Sequence, residues 1–507
     1  MDGGTVRGRR HRRPRGYIFV LAITTLAILT LLGVLSLRLA TSNVVTARQQ
    51  YGQAQAMHLA EAAAEIAEAY LRALPMPPTS NISYPTNGGV ITLSDGVCNA
   101  IIKPSLSNDG SWQKLYTVVG TGKPTTGVAH TVTVQLREQS FSLYAYFSDQ
   151  EVSSITSGAI WFYAGDRIYG PVHSNSQLNI SWDQNGTAPI FASTVSSAAT
   201  TVNWGGPGAP VSKSDWTDIL SGGQAAMTLG VNAIALPSST IEQQAAAWGG
   251  STGFPATAGI YLPANATTLT GGIYLNGDGT VAFSVVSNNQ VLTITQGSIT
   301  KTITVDRPNN QTIVKQGTTS TTYQGTPNGV LYSTGNITSL QGTLADNYVK
   351  NQQVLQRNGW TIATDVNAGK DITLTGNLVY NTQPDASKSA TDPHNLNAAT
   401  LGLVADDVVL STSCPNDVTI DGVIMAGGAN TTGGSFYYSD WNGGKRDILT
   451  LLGGIIQKKR GPVGTINGTA LVSGYKKNYN YDPRMVNNPP PFYPTTGQYD
   501  VISWQCQ

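Results

Sequence analysis

Few side chains in this sequence are suited to chemistry. His173 sits in Gly170-Pro171-Val172-His173-Ser174-Asn175, where an imidazole has the means to act as a general base or a metal ligand. The other histidines, His11, His58, His130 and His394, give it neither an H-x-x-x-H nor an HExxH spacing, so a hydrogen-bonded histidine locking a bend between strands is the expectation. Adjacent Asp406 and Asp407 would point to opposite faces of a strand, one toward solvent and the other at a corner or cap. That is not the pair of carboxylates facing one bond that a glycosidase requires. Glutamate offers little more, since Glu242 is the only one downstream of Glu151. Asn276-Gly277-Asp278-Gly279-Thr280 is a fragment of a calcium loop without the closing Glu, and reads as a type I′ hairpin turn. No P-loop occurs, nor a GxGxxG between a strand and a helix. These residues lead us to expect no catalytic group, no metal and no cofactor.

Charged residues make up only 12% of the chain and the formal net charge is +1, so the clustered cations that bind nucleic acid are absent outside the N-terminus. The three cysteines, Cys98, Cys414 and Cys506, form no CxxC pair. In an exported domain Cys414 and Cys506 are placed to close a loop with a disulfide, a link worth about 2 to 4 kcal/mol; unpaired structural thiols are the alternative. Near the C-terminus Tyr475, Tyr479, Tyr481, Phe492 and Tyr493 accompany Lys476, Lys477 and Arg484. Two readings fit: a patch whose rings stack on sugars or aromatic ligands, or a Pro-rich strap that caps the open end of a β stack.

The elements that must carry these residues divide the chain sharply. Arg7 to Arg15 holds six arginines, Gly16 follows, and Tyr17 to Leu37 is an uncharged apolar run long enough to cross a hydrocarbon core. The positive-inside rule puts the arginines in the cytoplasm and the rest beyond the membrane. A secretory signal fits less well, because its apolar region is shorter and ends at a small-residue cleavage site. Ala, Gln, Glu and Leu then dominate without proline up to Pro75, Pro77 and Pro78, which predicts one helix over 17–74, apolar first and amphipathic second.

Arg15-Gly16 followed directly by an apolar helix resembles the site where prepilin peptidase cuts type IV pilins and type II secretion pseudopilins. By that resemblance Tyr17 becomes the mature N-terminus. Ala47-Arg48 and Leu59-Ala60-Glu61-Ala62-Ala63 are similar to the PilX-type N-terminal module. Major pilins of this kind carry Glu at the fifth mature position; here it is Leu21, which suits a minor subunit with no neighbour above it. The later strings Gly170 to Asn175, Gly453 to Gln457, Arg460 to Gly464, Gly474-Tyr475, Tyr481 to Arg484, Asn488 to Pro491 and Pro494 to Gly497 resemble an uncharacterised bacterial domain that often follows PilX-type anchors.

Beyond Pro78 the composition turns to Gly, Ser, Thr, Asn, Val and Ile, with almost no helix-favouring run. Thr131 to Leu136, Val291 to Gln296 and Lys301 to Asp306 alternate as half-buried strands. Gly329 to Leu344, Gly369 to Asn381, Leu401 to Ser413, Asp417 to Gly428 and Ile448 to Gln457 recur as short V/I/L-rich strands, each too short to bury its own apolar face. The expected fold is mainly β with one long N-terminal helix, its C-terminal half a parallel β-helix or, as the alternative, a β-sandwich. The expected layout is a basic leader (1–16), a transmembrane helix (17–37), a helical stalk (38–74), a small antiparallel unit (79–143), a solenoid-like domain (144–474) and a C-terminal strap (475–507).

Three functions follow as expectations. The first is a non-enzymatic minor pilin-like subunit that assembles with or caps a pilus or pseudopilus, with the inner membrane, other pilin subunits and prepilin peptidase as partners. The second is a membrane-anchored adhesin with a surface or polysaccharide ligand and no filament. The third is an envelope polysaccharide hydrolase or lyase. All place the β domain in the periplasm or outside the cell, with the N-terminus cytoplasmic and no nucleic acid bound.

Overall fold

The computed structural model describes residues 16–74, 78, 80–106, 112–183, 188–385, 388–389, 392–428, 433–467 and 470–506. The Arg-rich segment through Arg15 and the prolines Pro75 and Pro77 lie outside the described residues. A long N-terminal helix precedes a large β-rich domain, and the chain resolves into two compact units. One comprises 1–104, 117–136 and 501–507, and the other 105–116 and 137–500.

In the first unit a single helix runs Tyr17–Ala73, 57 residues and about 86 Å at 1.5 Å per residue. It has two chemically distinct halves. From Tyr17 to Leu39 the large apolar side chains stand exposed, Ile18 at 76% and Leu26 at 64%. This is the one described helix long and apolar enough to cross a membrane, with a mean hydropathy of 2.7 over its best window. Thr24, Thr25 and Thr30 turn their hydroxyls back onto the carbonyls of Val20, Leu21 and Leu26 at 2.8 to 2.9 Å, so their polar groups are satisfied within the helix.

The second half buries Ala56, Leu59, Ala60, Ala63, Ala64, Ala67 and Leu71, a stripe of small residues at three- and four-residue spacing. It lies against a sheet ordered Ile82–Tyr84, Gly96–Leu106, Lys114–Pro124, His130–Ser140 and Thr495–Cys506, with Ile91–Leu93 also paired to Gly96–Leu106. Gly120 and Gly122 set the separation. A methyl group on Gly122 would collide with the Ala56 carbonyl and the Ala60 amide and come within 2.6 Å of Leu59 Cβ, while one on Gly120 would collide with the Ala60 carbonyl. Glycine in the strand opposite alanine in the helix therefore lets the two backbones approach as no larger pair could.

The second unit is organised by parallel pairing. From one end, Ile273–Asn276, Val330–Ser333, Gly359–Thr364, Thr400–Ala405, Val418–Ala426 and Lys445–Arg460 pair in succession. The next strand in space is Tyr146–Ser153, the first of this unit in sequence, followed by Val172–Ser174, Val195–Ser197 and Met227–Leu229. The chain thus enters the ladder in its middle, fills one side, and returns from the far end to meet its own first strand. Register carries one column of apolar side chains along the whole ladder: Ile273, Leu331, Ile362, Leu403, Ile424, Ile455, Tyr146, Val172, Val195 and Met227. Gly359–Thr364 and Thr400–Ala405 are buried at every position, as parallel strands covered on both faces must be.

A second parallel ladder joins Gly279–Val286, Ile337–Leu344, Ile372–Tyr380, Val408–Leu410 and Phe436–Tyr438. Just ahead of these strands a ladder of short polar side chains stitches the turns together. Asp278 Oδ1 accepts from Asn336 N at 2.7 Å, Asn336 Oδ1 from Asp371 N at 2.9 Å, Asp371 Oδ1 from Asp407 N at 3.0 Å, and Asp407 Oδ1 from Gly434 N and Ser435 N at 2.9 and 2.8 Å. Two expectations change here. Asn276 to Thr280 is a corner between strands of the two ladders, not a hairpin, because Asp278 is committed to the neighbouring turn. Asp406 and Asp407 also sit at a corner rather than on opposite faces of a strand; Asp406 is buried at 6% exposure and Asp407 is half-buried, so neither stands exposed to solvent.

An antiparallel meander, Gly279–Val286 through Asn289–Gln296, Ile299–Asp306, Gln311–Gln316 and Thr319–Gln324, extends from this ladder. Short helices also occur where the composition predicts almost none. Lys213–Ile219 is started by a capping box between Ser212 and Asp215, and Ile241–Trp248 ends at Gly249 in the left-handed conformation.

Candidate functional site

His173 lies in the strand Val172–Ser174 rather than in a turn, 1% exposed and stacked on Phe147 with ring centroids 5.1 Å apart. Both nitrogens are engaged, Nδ1 with Ser196 Oγ at 2.9 Å and Nε2 with Asn175 Oδ1 at 3.0 Å. Asn175 Oδ1 also accepts from Ile234 N, and its amide donates to Asp149 and to Ile234 O, so this oxygen is fixed as an acceptor. Nε2 therefore carries the proton, and neither nitrogen is presented to a substrate. Burial lowers the imidazole pKa and so favours the neutral ring, with the bond to Asn175 opposing it. The arrangement is that of a structural histidine joining neighbouring strands.

Beside it lies a buried ionic cluster that no spacing in the sequence announces. Arg460, the last residue of the strand Lys445–Arg460, pairs with Glu151 at 3.0 Å, the two side chains being 6% and 2% exposed. Glu151 also accepts from Tyr146 Oη at 2.8 Å and from Ser148 Oγ. Arg460 donates to Ile160 O at 2.9 Å, and its guanidinium lies 4.2 Å from the centroid of Phe162. The chemistry is that of a fastener: an ion pair whose carboxylate is also met by two hydroxyls, joining Lys445–Arg460 to Tyr146–Ser153. The quoted string from Arg460 to Gly464 held half of it, but Glu151 lies about three hundred residues earlier and shares no motif with it.

The aromatic residues singled out near the C-terminus are dispersed and largely packed. Tyr475 is 2% exposed, meets Tyr438 edge-on at 4.9 Å and donates to Pro415 O at 2.7 Å, and burial pushes its pKa up to about 12. Tyr493 is also 2% exposed, its ring filling the space above Gly402. Tyr481 is half-buried, with its hydroxyl on Leu143 O at 3.0 Å; Tyr479 and Phe492 are half-buried against the main core. Arg484 is buried in a 2.6 Å pair with Asp482 and donates to Ala398 O and Ala399 O. Of the neighbouring lysines, Lys477 lies 3.5 Å from Asp166 and Lys476 is exposed. Tyr475 and Tyr493 are buried and offer no free face for stacking.

Gly16 and Tyr17 stand at the N-terminus of the long helix, Gly16 as its cap residue without a side-chain bond and Tyr17 exposed at 73%. Cys414 is buried and donates its thiol to Leu374 O at 3.2 Å, Cys506 is exposed, and both are free in this structure. Among the described residues no group of three or more His, Cys, Asp or Glu side chains is gathered to hold a metal.

Residues 112–200, less than half of the chain, match the family model described as a domain of unknown function, DUF4900. That segment contains Glu151 and His173 with the strands Tyr146–Ser153, Val172–Ser174 and Val195–Ser197. The comparison with curated proteins gives no match. Among solved structures the chain is similar to the competence-associated pilin ComZ from Thermus thermophilus, at 13% identity over 90% of this chain and 98% of that one, with a TM-score of 0.30. A score of that size establishes neither a shared fold nor a shared function.

Proposed function

We propose that this chain is a non-enzymatic, minor pilin-like subunit, of the PilX type in its N-terminal module, anchored in a bacterial inner membrane with its β domain on the far side. The observation that carries the reading is the two-part helix. Its first half exposes an unbroken apolar surface suited to lipid or to the helices of neighbouring subunits, and its second half is sealed by alanine onto a glycine-bearing strand. Gly16 at the start of that helix supports processing by prepilin peptidase, with Tyr17 as the new terminus. The successive parallel ladders support a parallel β-helix over a sandwich for the second unit, since sandwiches are built from antiparallel sheets. His173 and Asp407 are held in structural hydrogen bonds, in keeping with a binding or assembly function.

Leu21, which suits a minor subunit, is equally compatible with a second reading, a surface-anchored adhesin outside any filament, because no carboxylate at that position neutralises a neighbour's terminal amine. Mass spectrometry of the mature N-terminus, from cells with and without prepilin peptidase, separates the two. A processed, methylated Tyr17 that requires the peptidase supports the pilin reading; an intact leader in both strains overturns it.

A further inference from the structure

The second unit holds an open groove of about 960 Å³ whose lining combines aromatic rings, amides and two arginines and includes no carboxylate. Trp112 and Phe492 supply the rings. The indole rests against Gly359, where an added Cβ would come within 2.7 Å of Trp112 Cη2. One wall is the hairpin formed by Tyr348–Lys350 and Gln353–Gln356, with Gln352 and Gln353 exposed at its tip. Arg307 and Arg357 provide the charge.

Arg307 is the informative residue. It is 6% exposed, its Nε donates to Arg357 O at 3.1 Å, and no ion pair neutralises it among the described residues. The carboxylate next to it in sequence is already engaged: Asp306 accepts from Asn309 at 2.8 and 3.2 Å and from Gln311 at 3.1 Å. Burial without a counter-charge lowers the Arg307 pKa to about 9. A desolvated guanidinium is costly unless an anion meets it, and a ligand carboxylate matches its planar fork. Exposed amides suit hydroxyl groups, and rings suit the apolar face of a sugar. A single inorganic anion would leave most of this groove unused, and a nucleic acid would require a longer track of cations than one arginine pair.

We propose that this groove binds a uronate-containing polysaccharide, with Arg307 receiving a sugar carboxylate and Trp112 and Phe492 flanking the chain. The assignment is independent of whether the helix is processed or enters a filament. The test uses the full chain in detergent micelles, with tetragalacturonate as probe and cellotetraose and an oligothymidylate as comparisons, read by isothermal titration and saturation-transfer NMR. Tetragalacturonate binds with an affinity that falls as salt rises, cellotetraose binds at least tenfold more weakly, and Arg307→Gln loses about tenfold or more of the acidic ligand's affinity. Because Arg307 is buried, Gln353→Glu serves as the second variant: it places a carboxylate at the exposed wall without disturbing the core and weakens tetragalacturonate selectively. Absence of binding at millimolar tetragalacturonate, equal affinity for cellotetraose, tighter binding of oligothymidylate, or unchanged affinity in both variants would overturn the proposal.

Discussion

Replacing Glu151 by glutamine removes the anion from a cluster that has almost no access to water. Arg460 would remain buried at 5% exposure with Ile160 O and the rings of Phe162 and Tyr146 beside it, while the Tyr146 and Ser148 hydroxyls would face an amide in place of a charge. Breaking a buried pair from one side costs about 3 to 5 kcal/mol, because the surviving charge keeps its desolvation penalty without the compensating attraction. Removing both charges is different: Glu151→Leu with Arg460→Met leaves no orphan, and such replacements are often neutral or stabilising. Urea unfolding of the full chain in detergent, followed by tryptophan fluorescence, should show Glu151→Gln and Arg460→Met each strongly destabilised and the double Leu/Met variant recovering at least about 2 kcal/mol relative to either. The position amplifies the effect, since the pair fastens the strand Tyr146–Ser153 to Lys445–Arg460 and loosening it would bare two strand edges. A loss below about 1 kcal/mol for the single variants, or strict additivity in the double, would refute the view of the cluster as the fastener of the ladder.

The helix-to-sheet contact predicts that Gly122→Val destabilises the first unit by about 1 to 3 kcal/mol through overpacking against Ala56 and Ala60, whereas Gly52→Ala, whose added methyl would meet only the Thr126 carbonyl at an ordinary 3.5 Å, is tolerated; hydrogen exchange across 56–71 distinguishes them. At the corner ladder, Asp371 has a raised pKa, chiefly from burial and partly from the neighbouring Asp407 charge. A carboxylate whose folded pKa is raised weakens the native state above that pKa, and the penalty is relieved as pH falls through it toward the unfolded value. Asp371→Asn keeps the acceptor for Asp407 N and removes the charge, so it should equal or exceed the parent in thermal stability at pH 7, the difference shrinking as the pH is lowered; a variant less stable at pH 7 than at pH 4 relative to the parent would count against this. Maleimide labelling of the native chain should modify Cys506 and spare Cys98 and Cys414, with denaturant required for the buried pair.

Local periodicity made much of the secondary structure readable. The helix expected over 17–74 runs Tyr17–Ala73, and the alternating runs at Thr131, Val291 and Lys301 fall in His130–Ser140, Asn289–Gln296 and Ile299–Asp306. Asp417 to Gly428 and Ile448 to Gln457 fall within or around Val418–Ala426 and Lys445–Arg460. Partner choice was not readable, because one Val- or Ile-rich strand pairs as well with another of its kind, and nothing local to Tyr146 specifies Ile455. The corner ladder escaped for a related reason: Asp278, Asn336, Asp371 and Asp407 are ordinary turn residues singly, and their common role appears only when the turns are stacked. The two readings of the C-terminal aromatics stay unseparated at the level of sequence because Tyr and Phe mark both exposed stacking surfaces and buried seams, and composition does not tell the two apart.

The way the main ladder ends bears on how the molecule can associate. At Ile273–Asn276 the antiparallel strand Gly259–Tyr261 covers the edge, and Gln244 on the short helix Ile241–Trp248 donates to Tyr274 at 3.3 Å. At the other end Met227–Leu229 is only three residues long, too short to template another chain's strand. Strand Tyr146–Ser153, which would have been an edge in a ladder built in sequence order, is occupied on both sides. Both ends of the main ladder are therefore covered or short, while the first half of the helix keeps its apolar surface uncovered. On the proposed function, assembly runs through the helix: removing residues 17–37 should abolish association with membranes and with other helical subunits, and a truncated chain that still forms ordered filaments would show that the β domain, not the helix, drives assembly.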